Sequence, residues 1–300
     1  MAQAPATPKT HRALIRLWAA LAGPEAAKTR AKAPSERAAL ALRALPLPKE
    51  RRETVTFLVP LVGPHHVGDW ESVTARLQTT LKSFVAQDDP NWRAVICCQQ
   101  RPPLPDDPRI THLPFDDTAP GNDKWRKLAA LCDYLPRMNL PTGYVMSFDA
   151  DDLLRQGTVR EMLSRQAPGG YLVQSGFVMD HAAHAFALAD KPSLGRPLRK
   201  PFWKLCGSCA AISHDPSQPQ SATFLREMTA HEHRMFPHLA ALAGRTLTPL
   251  NRPSVLYILN HGENFGARRG RVGFKTRFVQ RFRITDNETL SAIAQDFPTP

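Results

Sequence analysis

The stretch Gly143-Tyr144-Val145-Met146-Ser147-Phe148-Asp149-Ala150-Asp151-Asp152 decides how the fold of this chain is interpreted. Its apolar first part is typical of a β-strand that is buried on both faces of a sheet. Three carboxylates follow within four residues, and they repel one another unless a cation or water neutralises them. Because ligands of open α/β sheets bind beyond the carboxyl ends of the strands, the pattern predicts a ligand site here.

The carboxylates favour a divalent cation with a phosphate ligand. Mg²⁺ and Mn²⁺ prefer carboxylate oxygens and keep coordination positions for substrate phosphates. We therefore predict a metal–diphosphate site at Asp149 and Asp151, with Asp152 either supporting the cluster or contacting the ligand. The alternative is a solvated acidic turn or a helix N-cap.

Apolar patterns on both sides of this stretch predict alternating strands and helices. Strand patterns precede it at residues 55–59, 93–98 and 109–113, with helical spacings at 73–85 and 125–135. This order predicts a mostly parallel sheet flanked by helices. After residue 170 the pattern changes, with strand-like pieces at 171–179, 205–213 and 254–259 and a helical stretch from 221 to 234.

Composition and cysteine usage exclude several classes of protein. The 300 residues are 42% hydrophobic and 22% charged, which argues against wholesale disorder and small disulfide scaffolds. Five cysteines are an odd number in a chain without a clear secretory signal, so we expect a reduced, cytoplasmic protein. No apolar run approaches the roughly 20 residues that a spanning helix needs.

The formal net charge of +12 is concentrated at the two ends. Residues 1–53 carry eleven Lys/Arg and four Asp/Glu, and residues 264–285 carry seven Lys/Arg and no acid, which leaves the remainder at −2. A nucleic-acid-binding domain carries its cations on the folded surface, so we expect no nucleic-acid partner. The basic ends predict peripheral contact with anionic lipid at the inner face of the membrane, or else serve solubility alone.

The N-terminal segment contains one apolar helical pattern. Leu14, Trp18 and Leu21 share a face beside two arginines, which is typical of a helix that lies in a membrane interface. The alternative is a helix that docks on the body. The prolines of residues 34–48 predict a linker, with order beginning at Thr54.

At the acidic cluster the chain resembles a known family. Ser147-Phe148-Asp149-Ala150-Asp151-Asp152 is similar to the Asp-x-Asp motif of GT-A-fold glycosyltransferases, and Phe57-Leu58-Val59-Pro60 agrees with their first strand. Within that fold the chain resembles family-2 enzymes, and most of all the bacterial group described as rhamnosyltransferases. The similarity extends from residue 54 to about residue 267, with a weaker motif at Asn260-His261-Gly262-Glu263-Asn264.

The resemblance implies a GT-A-like, Rossmann-like fold and a sugar-transferring activity. A nucleotide-sugar donor would give its sugar, such as rhamnose, to a hydroxyl of a polysaccharide or lipid-linked glycan, with Mn²⁺ or Mg²⁺ as the cofactor. Because a late histidine often completes the metal shell in this fold, His261 becomes the third ligand beside Asp149 and Asp151, although a packed histidine is the alternative. Residues 97–100 read Cys-Cys-Gln-Gln where family-2 enzymes usually carry an acid that reads the nucleotide base, so the base stays open.

Other residues are candidates for the donor site. Pro60 ends the first strand, and Asp123, Lys124 and Lys127 stand at the start of a helix, where backbone amides and cationic side chains hold phosphate. The alternative for these three is an N-cap with solvated lysines.

The acceptor side has its own candidates. If the reaction inverts the anomeric centre, a base must deprotonate the acceptor hydroxyl. The resemblance puts Glu232 near the position of the family-2 base, with His233 as second choice, both on the helix that begins near residue 221. His231 continues an apolar face and is expected in the core. Trp203 is a candidate for stacking against the acceptor sugar, or else fills the core.

We divide the chain accordingly into a basic N-terminal extension (1–53), a nucleotide-sugar-binding half (54–170), an acceptor-binding half (171–266) and a basic C-terminal tail (267–300). A non-catalytic membrane- or polyanion-binding protein on a degenerate GT-A scaffold is the alternative function. A nucleotidyltransferase is a third, weakened by the absence of a Gly-rich phosphate loop after Val59.

Overall fold

The computed structural model describes residues 3–119, 121–261 and 272–298. In this part of the chain the helices are α1 Lys9–Leu21, α2 Gly23–Lys28, α3 Pro34–Arg43, α4 Trp70–Val85, α5 Lys124–Tyr134, α6 Thr158–Arg165, α7 Pro219–Thr229, α8 Phe236–Leu242, α9 Val272–Arg281 and α10 Asn287–Asp296. The strands are β1 Thr54–Pro60, β2 Trp92–Cys98, β3 Ile110–Pro114, β4 Gly143–Ser147, β5 Leu153–Leu154, β6 Gly170–Leu172, β7 Gly176–Asp180, β8 Ala185–Ala189, β9 Ala210–His214, β10 Thr248–Pro249 and β11 Val255–Leu259.

Within the described residues the strands form two sheets. The central sheet has seven strands in the order β10-β6-β9-β4-β1-β2-β3, and β1 lies parallel to both β2 and β4. β9 is the antiparallel member, inserted between β4 and β6. The smaller sheet has the order β5-β11-β7-β8. This confirms the predicted α/β class, a mostly parallel, Rossmann-like central sheet flanked by helices.

An aromatic cluster joins β1, β4 and α4. The rings of Phe57 and Phe84 stack with centroids 4.2 Å apart, and Phe148 meets Phe84 edge-on at 5.1 Å. All three side chains are completely buried. Because Phe148 directly precedes Asp149, this cluster fixes the point at which the acidic residues leave the sheet.

The region around residue 174 differs from the sequence-based prediction. Residues 171–179 were expected to form one strand, but they contribute β6 to the central sheet and β7 to the smaller one. The Gln174 carbonyl accepts a hydrogen bond from the Phe202 backbone amide at the bend. Gly176 packs against the Phe202 ring so closely that a Cβ there would collide with it. A periodicity argument could not find this break, because both halves are apolar.

The predicted linker at residues 34–48 contains helix α3 instead. Leu40 and Leu42 are buried, and the helix packs against α7 and α8. Proline at the first helical position is compatible with a helix start, because the missing N–H has no partner there in any case. The Glu36 carboxylate, also buried, accepts the N–H groups of Lys32 and Ala33 and completes this start.

Helix α1 docks on the body, but by a different face from the one that the sequence singled out. Ile15 and Ala19 are buried, whereas Leu14, Trp18 and Leu21 are 57%, 39% and 78% exposed. The predicted apolar face is therefore turned to solvent. None of the described helices is long and apolar enough to cross a membrane.

The described part of the C-terminal segment is packed rather than extended as a tail. Helix α9 lies against β7, β8 and β11, with Phe278 and Val279 buried, and Ile293 of α10 joins the core of the smaller sheet. Three of the seven Lys/Arg counted in residues 264–285 lie outside the described residues, namely Arg268, Arg269 and Arg271. The same holds for Gly262, Glu263 and Asn264 of the weaker motif.

We predict that Gly170→Ala destabilises the central sheet by about 3 kcal/mol. Gly170 has a φ of +112°, and a Cβ there would collide with the Ala211 carbonyl across the β6–β9 pairing. Gly195→Ala is the matched control, because nothing lies within 4 Å of its added Cβ. Urea unfolding measures both variants, and equal midpoints would contradict the assigned close approach.

Candidate functional site

A cavity of 280 Å³ lies where β1 and β4 end. Its ionisable walls combine three cations, three carboxylates and two imidazoles: Arg76, Lys124, Lys275, Asp123, Asp149, Asp151, His233 and His261. Pro60, at the end of β1, also lines it. The structure thus collects most of the residues predicted for the donor and metal site at the carboxyl edge of the sheet, where α/β proteins bind ligands.

Asp149 faces a lysine from the next layer of the fold. Its Oδ1 accepts from Lys124 Nζ at 2.5 Å, and its backbone N–H donates to Ser208 Oγ at 2.8 Å. Burial lowers the pKa of Lys124, but the Asp149 charge outweighs burial and raises it, so the ammonium stays charged. Gly207 keeps this place open, because a Cβ there would lie 3.3 Å from Asp149 Oδ2.

Asp151 meets the late histidine. His261 Nε2 lies 2.9 Å from Asp151 Oδ2, although 110 residues separate the two in sequence. Burial raises the pKa of Asp151, but the hydrogen bond and charge of His261 outweigh it, so this pKa is lowered. Arg76 Nη2 donates to the His261 carbonyl at 2.8 Å and holds this residue, the second after β11, in place.

Asp152 turns away from the cavity into the protein. It is completely buried, and its Oδ2 accepts from Ser208 Oγ at 2.6 Å and from Cys206 Sγ at 3.0 Å. Burial and the neighbouring Asp151 and Asp149 raise its pKa well above the ordinary aspartate value. Of the two roles predicted for Asp152, this position suits support of the cluster and does not allow direct contact with a ligand in the cavity.

Lys127 is also buried, and its ammonium contacts groups of the protein itself. Its ammonium donates to the Leu61 carbonyl at 2.5 Å and pairs with Asp123 Oδ2 at 2.8 Å. Burial raises the pKa of Asp123, but hydrogen bonds from Gln99 and Lys127 outweigh it and lower this pKa. The structure does not bring Lys127 to the cavity, whereas Asp123 forms part of its wall. The Asp123 side chain makes no N-cap hydrogen bond.

Of the two predicted bases, His233 lines the cavity and Glu232 does not. Helix α7 ends at Thr229, so neither residue lies on it as predicted. The His233 ring donates to the Lys204 carbonyl, and its buried Nε2 has no hydrogen-bond partner among the described residues. Burial, together with Lys275 and Lys124, lowers the pKa of His233 to about 3, so the imidazole is neutral.

Two neighbouring predictions concern the acceptor side. His231 is buried, and its Nε2 is hydrogen-bonded to Ser35 Oγ at 2.7 Å, which confirms that it is a core histidine. Trp203 is half-buried and lies outside the cavity wall, which its chain neighbours Leu205 and Gly207 form instead. Its role in stacking against a sugar stays a prediction.

Among the cavity residues that sequence reasoning missed are Arg76, Tyr257 and Lys275. Lys275 Nζ donates to Tyr257 Oη at 2.7 Å, and burial lowers the pKa of this lysine. Arg76 Nη1 is buried without a hydrogen-bond partner in the described part of the chain. Each of these residues follows an ordinary strand, helix or charge pattern, so no sequence signal set it apart.

A second group could offer metal ligands. Ligand atoms of His65, His66 and Asp123 lie within 4.8 Å of one another, the one such trio in the described residues. However, Asp123 Oδ2 already accepts from Gln99 and the buried Lys127, so a cation would sit beside an ammonium. Asp149, Asp151 and His261 do not form a trio of that compactness among the described residues: Asp149 pairs with Lys124, and Asp151 pairs with His261.

Comparison with known proteins adds little. No family model matches the sequence, and no curated protein matches it. Among solved structures the chain is similar to 4-diphosphocytidyl-2C-methyl-D-erythritol synthase, with 13% identity, a TM-score of 0.35, and coverage of 74% of this chain and 99% of that one.

We predict that Lys127→Met lowers the free energy of unfolding by about 3–5 kcal/mol at neutral pH, because it leaves Asp123 buried and unpaired. The pKa of Asp123 is lowered in the fold, so the pairing stabilises above the ordinary value of 3.8 and is lost as pH falls below it. The difference between wild type and variant should therefore shrink in acid.

Lys124→Met is the matched control for this measurement. Lys124 is 36% exposed at the cavity, so its pairing with Asp149 contributes at most about 1 kcal/mol. Urea unfolding at several pH values compares the two variants. Equal losses would show that burial does not distinguish the two lysines.

Proposed function

We propose that this chain is a glycosyltransferase that moves a sugar from a nucleoside-diphosphate donor to a hydroxyl of a polysaccharide or lipid-linked glycan. One observation carries the proposal: Asp149 and Asp151 share a cavity at the strand ends with Arg76, Lys124 and Lys275. Rhamnose is the sugar that the resemblance suggests. The five cysteines are free thiols, which supports a reducing, cytoplasmic compartment.

The cations supply the contacts that a diphosphate needs. Lys124 and Lys275 present ammonium groups, and the unpartnered Nη1 of Arg76 is a donor whose burial is costly unless a ligand accepts from it. Charge-assisted hydrogen bonds to phosphate oxygens are about twice as strong as neutral ones. The developing charge of a leaving diphosphate would therefore be met by cations that already line the cavity.

The residues that face Asp151 fit a divalent metal. A carboxylate and an imidazole 2.9 Å apart are a suitable donor pair for Mn²⁺, and Asp149 offers a second carboxylate when Lys124 turns to phosphate. A diphosphate is negatively charged and a divalent cation is positively charged, so binding both changes the net charge of this cavity less than binding either one alone. When bound, the metal would supply Lewis-acid neutralisation of the leaving group.

We infer that His233, which lines the cavity, is the base. Its unpartnered Nε2 would take the proton of the acceptor hydroxyl while the hydroxyl oxygen bonds to the anomeric carbon and the bond to the diphosphate breaks. A pKa of about 3 is low for a base. Burial is the main cause of that lowering, and a bound diphosphate would offset only the smaller contribution of Lys275 and Lys124 to the His233 pKa. Glu232, the first choice from the sequence, becomes the second candidate because it does not line the cavity.

We predict that one of UDP, dTDP, GDP or CDP raises the unfolding temperature, and that Mn²⁺ increases the shift. A ligand at about 100 times its Kd stabilises the fold by about 2.7 kcal/mol. Asp151→Asn should lose the metal-dependent part, whereas Asp106→Asn, at an exposed loop residue, should keep it. No shift with any nucleotide would refute the donor site and favour a non-catalytic binding protein.

We predict that His233→Gln lowers kcat by about 100-fold or more, because the acceptor hydroxyl loses its base. The thermal shift with the donor nucleotide should not change. Glu232→Gln is the matched comparison and should keep most of the turnover. Release of nucleoside diphosphate measures both, and the reverse order of losses would assign the base to Glu232.

A further inference from the structure

Large apolar side chains that face solvent are concentrated in two basic segments of this chain. Nine are exposed among the described residues, and seven of these belong to α1 or to the neighbourhood of α9: Leu14, Leu17, Trp18, Leu21, Leu194, Leu198 and Phe274. Single exposed leucines are ordinary on a protein surface, but a cluster beside cations marks an interaction site.

We define the α9 surface as residues 194–200 together with the outer face of α9 and the residues that follow it, up to 283. Two adjoining depressions, which share Leu198, Arg281 and Phe282, form this surface. Five cations line them: Arg196, Lys200, Arg277, Arg281 and Arg283. Among the described residues no carboxylate lines either depression.

The five cations that line the depressions lack carboxylate partners among the described residues. None of the five forms an ion pair with a carboxylate in the described part of the chain, and Lys200 Nζ instead lies 4.2 Å from the centre of the Phe274 ring. Beside them Leu194 is 104% exposed and Leu198 is 55% exposed. The surface therefore combines unpaired positive charge with two leucines that are exposed to solvent.

We propose that the α9 surface binds an anionic membrane, with its cations on lipid phosphates and with Leu194 and Leu198 in the interface between headgroups and acyl chains. Anionic headgroups supply the missing counter-charge, and each Lys or Arg near such a surface gains affinity. The leucines decide between partners: an acidic polysaccharide would neutralise the cations but leave both leucines in water.

Helix α1 is the weaker candidate for this contact. Its apolar face is exposed, but the basic groups around it are partly engaged: Lys28 pairs with Glu25 at 2.6 Å, and Arg12 Nε donates to the Thr7 carbonyl at 2.6 Å. The Arg30 guanidinium lies over the Trp18 ring at 4.2 Å. These basic groups around α1 therefore have partners within the chain, whereas no ion pair or ring contact engages the side chain of Arg196, Arg277 or Arg283 among the described residues.

Docking through the α9 surface would bring the cavity near the bilayer. Lys275, which lies next to Phe274 and two residues before Arg277 in α9, lines the cavity. If the proposed function holds, a lipid-linked acceptor would be met where it resides. Membrane binding itself does not depend on that function, because its test measures no turnover and no nucleotide.

Vesicle co-sedimentation of the full chain tests the proposal. We expect binding to phosphatidylcholine vesicles that contain about one third phosphatidylglycerol, little binding to pure phosphatidylcholine, and weakening as salt rises. Arg277→Glu with Arg281→Glu should weaken binding at least about 25-fold, about fivefold for each lost cation. Leu194→Ser with Leu198→Ser should weaken it about tenfold, and thermal unfolding verifies that each variant is folded.

Two control variants isolate the surface. Arg101→Glu with Arg137→Glu makes the same change of charge at exposed residues elsewhere and should leave binding nearly unchanged. Leu14→Ser with Trp18→Ser tests α1. Loss of binding in the α1 variant alone would overturn the assignment. It would also be overturned if the wild-type protein did not bind anionic vesicles, or if it bound soluble alginate but not the vesicles. A loss confined to the α9 variants would uphold it.

Discussion

Three carboxylates in four residues must be accommodated at the edge of a buried sheet, and the rest of the site depends on how each is neutralised. Asp149 has the Lys124 ammonium, Asp151 has the His261 imidazole, and Asp152 has two donors and a raised pKa. Without these partners the mutual repulsion of the carboxylates would oppose folding. Each partner comes from a different element, so the cluster also organises the fold around it.

The cavity combines residues at the strand ends of the central sheet with residues from the smaller sheet and the helix packed on it. His261 follows β11 in the smaller sheet, and Lys275 comes from α9, which packs on that sheet. The aromatic cluster of Phe57, Phe84 and Phe148 holds the acidic residues at the end of β4. Arg76 holds His261 through a hydrogen bond to its carbonyl. The smaller sheet is thus needed to complete the site as well as to extend the core.

Sequence reasoning succeeded where a pattern reflects one dominant physical effect. Strands β1, β2 and β4 are buried and almost continuously apolar, and Asp149 and Asp151, which follow β4, line a cavity at the strand ends. The roles of two lysines on one turn of α5 could not be predicted in this way. Lys124 and Lys127 have the same chemistry, yet one faces the cavity and the other is buried with Asp123. Only packing around α5 distinguishes them.

The division between Glu232 and His233 has the same origin, because adjacent residues point in different directions once helix α7 ends before them. The sequence alone determined the α/β class, the strand that carries the acidic cluster and the identity of Asp149, Asp151 and His261 as neighbours of one site. Tertiary structure decided that α1 docks by Ile15 and Ala19, that α9 brings Lys275 into the cavity, and which cations remain without counter-ions. Local patterns report burial and backbone preference, whereas these outcomes depend on contacts between segments far apart in the chain, which no local pattern encodes.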